Sequence, residues 1–269
     1  MTNHTLLHKK HNSAIAQLIV FSAIHVVQFI LRLIQERRYW HHTRRRSNVW
    51  CFAYSWWGMI GIIAQLRAAD AAIMMPIRYL SMPVLITRTI LQGLGLTFLL
   101  FEVSLILLRS GQAGRTGPGN SRHPAHLRFT LHFFRFPAFI SMVMALVGGV
   151  LNVRSCEILG AIGRIVFAFT IILVWYIVLG MVARSRKFLS AAGYQAVLVV
   201  LASLPFFTVR AAIFLLGDFQ TRKVRHDVGD AGLRVAMELL LEVIVAGLLI
   251  VARVVAEPLF APLPEITLD

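Results

Sequence analysis

GLRVAMELLLEVIVAGLLIVARVV, residues 232–255, decides the fold. It is a run of Leu, Val, Ile and Ala interrupted by Glu238 and Glu242. At about 1.5 Å per residue it makes a helix of roughly 36 Å, enough to cross a hydrocarbon core of about 30 Å. The two glutamates are four residues apart and share one helix face. A carboxylate facing lipid is costly, so that face points into protein or a water-filled cavity. The rest of the chain is expected to wrap around it.

The composition agrees. Of 269 residues, 58% are hydrophobic and 14% charged, and the mean hydropathy is +0.72. A soluble domain has about 45–50% apolar and about 25% charged residues. Apolar runs recur at about 13–34, 49–66, 88–108, 133–153, 162–183 and 191–216 before the last at 232–255. The expected fold is all-α: one polytopic membrane domain over 1–269, a seven-transmembrane-helix bundle. Arg67 and Asp70 fall in an outer loop on this reading. Residues 71–86, broken by Pro76, Arg78 and Pro83, read as a loop or a surface-lying segment.

The formal net charge is +15. With no soluble binding module in the chain, nucleic acid is excluded as a partner. Topology accounts for the charge instead, because Lys and Arg hold loops on the cytoplasmic side. Arginines gather in 37–46, 109–128 and 184–187. This bias puts the N-terminus outside and the C-terminus in the cytoplasm, in the plasma membrane or the endoplasmic reticulum. Membrane lipids are the expected partners of such a basic face. Residues 109–128, RSGQAGRTGPGNSRHPAHLR, read as a flexible cytoplasmic loop. Asn3-His4-Thr5 is an N-glycosylation acceptor pattern on the outer side. His41 and His42 point apart and have no third ligand nearby, so no metal site is expected, and no cofactor motif is present. Cys51 and Cys156 fall on opposite sides of this topology and are not expected to pair.

Several polar residues sit inside apolar runs. His25, with Gln17 and Gln28, forms either a polar stripe facing the bundle or a proton-handling or ligand-contacting group. Glu102 lies deep in the third run. In SLPFFTVR, residues 203–210, Pro205 is expected to kink the sixth helix and free a carbonyl. Arg210 follows five residues later. Counting along consecutive helices puts Arg210 and Glu238 at similar depth, with Glu242 one turn deeper. Two readings stand side by side. One is a buried salt bridge that locks two helices. The other is an outward-facing polar pocket, with Arg210 for an anionic or carbonyl group and Glu242 as acid or base.

The Ser203-Leu204-Pro205-Phe206 segment with Arg210, the last-helix Glu242, and Val147-Gly148-Gly149-Val150 carry a resemblance. Over about 14–255 the chain resembles an uncharacterised family of seven-helix membrane proteins of filamentous fungi. That resemblance implies a place in or near secondary-metabolite gene clusters and brings no activity with it. A more distant likeness is to fungal seven-helix lipid-exporter-like proteins.

Two functions are expected from these features. The first is a non-enzymatic bundle that binds an apolar or amphipathic small molecule, receptor-like or lipid-handling. No Glu/Asp-Arg-Tyr triplet follows the third run, which argues against a signalling receptor. The second is a membrane-embedded isoprenoid or meroterpenoid cyclase, with Glu238 or Glu242 as a buried catalytic acid. There is no aspartate-rich metal motif for a diphosphate substrate.

Overall fold

The computed structural model describes residues 2–37, 48–75, 82–112, 121–150, 154–186, 189–220 and 228–257. Among these residues the chain is helical without strands. Its helices are α1 (Thr2–Gln35), α2 (Asn48–Trp56), α3 (Met59–Met74), α4 (Met82–Ser110), α5 (Ala125–Phe133), α6 (Arg135–Val150), α7 (Arg154–Ser185), α8 (Ala191–Gln220) and α9 (Val228–Ala256). Six are long and apolar enough to cross a membrane, with α5 and α6 counted together. The pair α2 and α3, bent by 52° at its break, raises the number to seven if it counts as one span. The chain is an integral membrane protein.

Helix α4 is the hub. Its apolar window is 61% buried, against 17% for α1. It packs against α3, α5, α6, α8 and α9. Leu96, Leu99, Leu100, Val103, Ile106 and Leu107 of α4 are all closed from solvent. Val245, Ala246, Leu249 and Ala252 of α9 join the same core, as do Val197, Val200 and Leu204 of α8. The outward faces stay apolar, as a lipid-facing surface requires: Ile165, Phe169 and Ile172 of α7 are all more than half exposed.

Several boundaries differ from the hydropathy reading. The run at 49–66 breaks at Trp57-Gly58, and α3 then continues to Met74. Arg67 and Asp70 are therefore not in an outer loop: both are 2% exposed inside α3. No Pro or Gly follows Leu66 before Pro76, so nothing local stops the helix, and partners from other helices neutralise both charges. Ala71–Met74 and Met82–Ile86 are likewise helical rather than loop. The stretch 109–128 is shorter as a loop than expected. Arg109 and Ser110 close α4, Ala125–Arg128 open α5, and His123 is 5% exposed between them. The sequence bounds 88–108 and 133–153 become Met82–Ser110 and Ala125–Val150, the latter broken at Phe134. The first, fifth, sixth and last runs lengthen by a few residues or more at one end or both. Arg38–Arg46, His41, His42 and residues 113–120 lie outside the described residues.

Helix α3 runs back along α1. The Gln28 amide donates to the Ser55 carbonyl at 3.5 Å near the break, and the Gln17 amide donates to the Arg67 carbonyl at 3.3 Å farther on. The C-terminal ends of α1, α4 and α9 meet at one end of the bundle. There the Gln35 amide donates to the Glu257 carbonyl at 2.9 Å, and Arg109 lies 2.7 Å from the Glu257 carboxylate.

Candidate functional site

Five helices line one cleft, and four of them bring charge to it. Helix α1 supplies Gln17 and Phe21, α3 supplies Arg67 and Asp70, and α4 supplies Arg88 and Gln92. Helix α8 supplies Arg210, and α9 supplies Glu238, Leu239 and Glu242. Glu238 and Glu242 face the same way because they are one helical turn apart. Arg67 and Asp70, three apart on α3, do the same. Three arginines face three carboxylates here, so the cleft is formally neutral.

The pairing is uneven. Arg67 Nε donates to Glu242 Oε1 at 2.7 Å, and Arg67 NH2 lies 2.7 Å from the same oxygen. Asp70 accepts from the Gln17 amide at 3.4 Å and has Arg88 at 3.7 Å. Arg210 sits farther from its carboxylates, 3.8 Å from Glu238 and 3.9 Å from Glu242. Its Nε and NH1 are buried and have no hydrogen-bond partner among the described residues. Such a donor is costly to bury unsatisfied. Gly95 of α4 makes room for the pair, since a Cβ there would come 3.3 Å from Arg67 NH2.

The cleft opens past Arg88 and Glu238, whose side chains are 23% and 16% exposed, while Arg67 and Arg210 stay at 2% and 1%. Its free volume is about 20 Å³. One water needs roughly 10–15 Å³ on that measure, so the cleft holds a single small group.

The structure therefore brings together Arg210, Glu238 and Glu242, three residues singled out from sequence. It leaves His25 elsewhere: the ring stacks edge-on against Trp56 at 4.7 Å, beside the α2–α3 break. Pro205 stands inside α8, which continues helically through it. Asn3 lies in the first turn of α1. Glu102 of α4 is fully buried but belongs to a second ionic group. There Arg253 NH1 donates to Glu102 Oε1 at 2.8 Å and Arg253 Nε donates to Gln35 Oε1 at 3.2 Å. Arg109 joins Glu257 at 2.7 Å and Glu36 at 3.7 Å. From Gln17 to Arg32 on α1 is fifteen residues, so the two ionic groups lie about 22 Å apart along the helix.

Sequence reasoning missed Arg67, Asp70, Arg88 and Gln92. A local signal existed for the first two: their three-residue spacing continues the face of an uninterrupted helix. For Arg88 and Gln92 the cue was a four-residue spacing, again one helix face, at the start of an apolar run. Among the described residues no group of three His, Cys, Asp or Glu side chains is placed to hold a metal.

No curated protein and no solved structure matches the chain. A family match does cover nearly all of it. Residues 7–257, which include every residue of both ionic groups, align with the domain of unknown function DUF7702, and the chain belongs to that family.

Proposed function

We propose that the protein binds a small amphipathic molecule, as a receptor-like or lipid-handling membrane protein, with the ligand's anionic or carbonyl head on Arg210. The observation that carries this reading is the guanidinium itself. It is almost wholly buried, lines an open cleft, and keeps two nitrogens without hydrogen-bond partners. Arg67 already takes Glu242 at 2.7 Å. Of the two arginines held more loosely, Arg88 and Arg210, each with a buried nitrogen lacking a hydrogen-bond partner among the described residues, Arg210 is the deeper. The small volume fits a carboxylate or carbonyl oxygen rather than a whole molecule. The ligand's apolar part would leave by the open side of the cleft, past Leu239 and between Arg88 and Glu238.

A cyclase needs a cavity large enough for an isoprenoid chain and an aromatic wall. The cleft offers about 20 Å³ and one aromatic ring, Phe21, so the binding reading is favoured. The finer topology belongs to the same proposal: seven spans, N-terminus outside, in the plasma membrane or the endoplasmic reticulum. It is supported by α3 running back along α1 and by the gathering of the α1, α4 and α9 ends with their arginines at one end of the bundle. The resemblance at residues 203–210 and Glu242 supports service to a secondary-metabolite pathway.

Thermal unfolding of the purified protein with a long-chain carboxylate, and with the alcohol of the same chain, tests the reading. The carboxylate is expected to raise the melting temperature of the parent more than the alcohol does, and Arg210→Ala is expected to abolish the difference. Equal responses of parent and variant would overturn it.

A further inference from the structure

The second ionic group contains an arginine that the proposed cleft does not use. Arg32 of α1 is 8% exposed. Among the described residues no carboxylate lies within 4 Å of it, and its Nε and NH1 have no hydrogen-bond partner. Glu102 and Glu36 act on it only at longer range.

What Arg32 does face is the start of α3. Gly58 is the N-cap of that helix, and no side chain caps it. The backbone there is ordinary extended chain, φ −60° and ψ 146°, so glycine is not needed for conformation. It is needed for space: a Cβ would fall on the Gln28 amide nitrogen and 2.5 Å from Arg32 NH1. The first turn of a helix carries N–H groups without intrahelical partners and the positive end of the helix dipole. Helix α3 is sixteen residues long, so that dipole is well developed. In membrane proteins the N-termini of interrupted helices take anionic groups in this way. Gln28 is 4% exposed and also borders the break.

We propose that Arg32 and the N-terminal turn of α3 form a second anion site, separate from the Arg210 cleft, for a phosphate group. The fork of a guanidinium and a helix N-terminus suit a tetrahedral oxyanion. Two sources share this chemistry, a lipid headgroup and a free phosphate. The surroundings suit a headgroup. Arg32 is less than one turn from the end of α1, and Trp57 at the break and Trp50 and Tyr54 in α2 are exposed aromatics of the kind that sit at the membrane interface.

The test is thermal unfolding of the full-length protein in detergent at constant ionic strength, with Arg32→Gln and Arg32→Lys beside the parent. The probes are phosphatidate, diacylglycerol with the same chains, and inorganic phosphate. Phosphatidate is expected to raise the parent's melting temperature in proportion to the logarithm of its concentration, and diacylglycerol is expected to do nothing. Arg32→Gln should lose the shift, and Arg32→Lys should keep part of it. A matching shift with inorganic phosphate assigns the site to a soluble anion, and its absence assigns it to lipid. Without any probe, Arg32→Gln should melt no lower than the parent, because an unpaired buried charge has been removed. The proposal is overturned if the variant responds to phosphatidate like the parent. It is equally overturned if neither phosphate probe moves the parent, or if unliganded Arg32→Gln melts well below it.

Discussion

Arg253 of α9 donates to Glu102 of α4 at 2.8 Å across 151 residues of sequence. Glu102 is completely buried, and Arg253 is its near neighbour of opposite charge. The pair ties the last helix to the hub helix well inside the bundle.

Arg253→Ala is expected to destabilise the protein strongly, because it leaves the buried Glu102 carboxylate without its hydrogen-bonded cation. In a soluble core such a loss is about 3–5 kcal/mol. Adding Glu102→Gln should restore much of the folded yield, since the orphan charge is gone and the shape is kept. Size exclusion of the single and double variants in detergent reads the outcome. A single variant that folds like the parent would mean the pair contributes nothing.

Helices α6 and α7 pack closely through glycines. A Cβ on Gly163 would come 2.5 Å from the Ala145 nitrogen and 2.6 Å from the Ser141 carbonyl oxygen, both backbone atoms that cannot turn aside. Gly163→Ala should therefore force the helices apart, at about 1–3 kcal/mol by analogy with overpacked cores. Gly180, on the same helix, has nothing within 4 Å of its would-be Cβ. Gly180→Ala should be neutral or slightly stabilising, by up to about 1 kcal/mol of helix propensity. Comparing the two melting temperatures separates packing from propensity, and equal losses would refute the contact.

His123 gives a pH dependence. It is buried between the end of α4 and the start of α5, and its Nε2 lies 2.8 Å from the Leu107 carbonyl oxygen, the acceptor for a ring N–H. Burial pushes its imidazole below the usual histidine range, with Arg128 adding to this and the Leu107 carbonyl opposing it. The folded state then binds the proton more weakly than the unfolded chain does. His123 therefore contributes stability that is complete above about pH 6.5, the unfolded value, and is lost as pH falls through the lower folded value. His123→Gln should flatten that part of the stability profile, measured as melting temperature from pH 8 down to pH 5. An unchanged slope would assign the acid sensitivity to other groups.

The membrane helices were legible because long apolar runs have few alternatives. The depth match of Arg210 with Glu238 was legible too, since it needs only residue counting along consecutive helices. Arg67 and Asp70 were not. Hydropathy sends charges at the edge of an apolar run into a loop, and here their neutralising partners come from other helices. Glu242 is 175 residues from Arg67, a relationship that no local pattern encodes. Arg253 hid for the same reason: at the end of the last apolar run it has the pattern of a basic flank, yet it turns inward to Glu102. His25 reads from sequence either as part of a polar stripe facing the bundle or as a proton-handling or ligand-contacting group, and its ring packs edge-on against Trp56 at the α2–α3 break.

The last prediction separates the two arginines of the cleft. Glu242 holds Arg67 at hydrogen-bond distance and Arg210 only at 3.9 Å. Coulomb attraction acts on both, but the short contact also satisfies a donor and an acceptor that would otherwise be buried unpaired. Arg67→Ala should therefore lower folded yield more than Arg210→Ala does. Glu242→Gln should rescue Arg67→Ala in good part, because it removes the orphaned carboxylate. Rescue of Arg210→Ala by Glu238→Gln or Glu242→Gln should be smaller, since there is less to restore. Arg210→Lys should keep the charge but lose the planar fork, and so retain the fold while weakening any carboxylate-dependent stabilisation. Yield and melting temperature report the first comparison, and the ligand-induced shift reports the second. If Arg210→Ala proves the more damaging change, Arg210 is chiefly a structural ion-pair partner, and the division of labour between the two arginines does not hold.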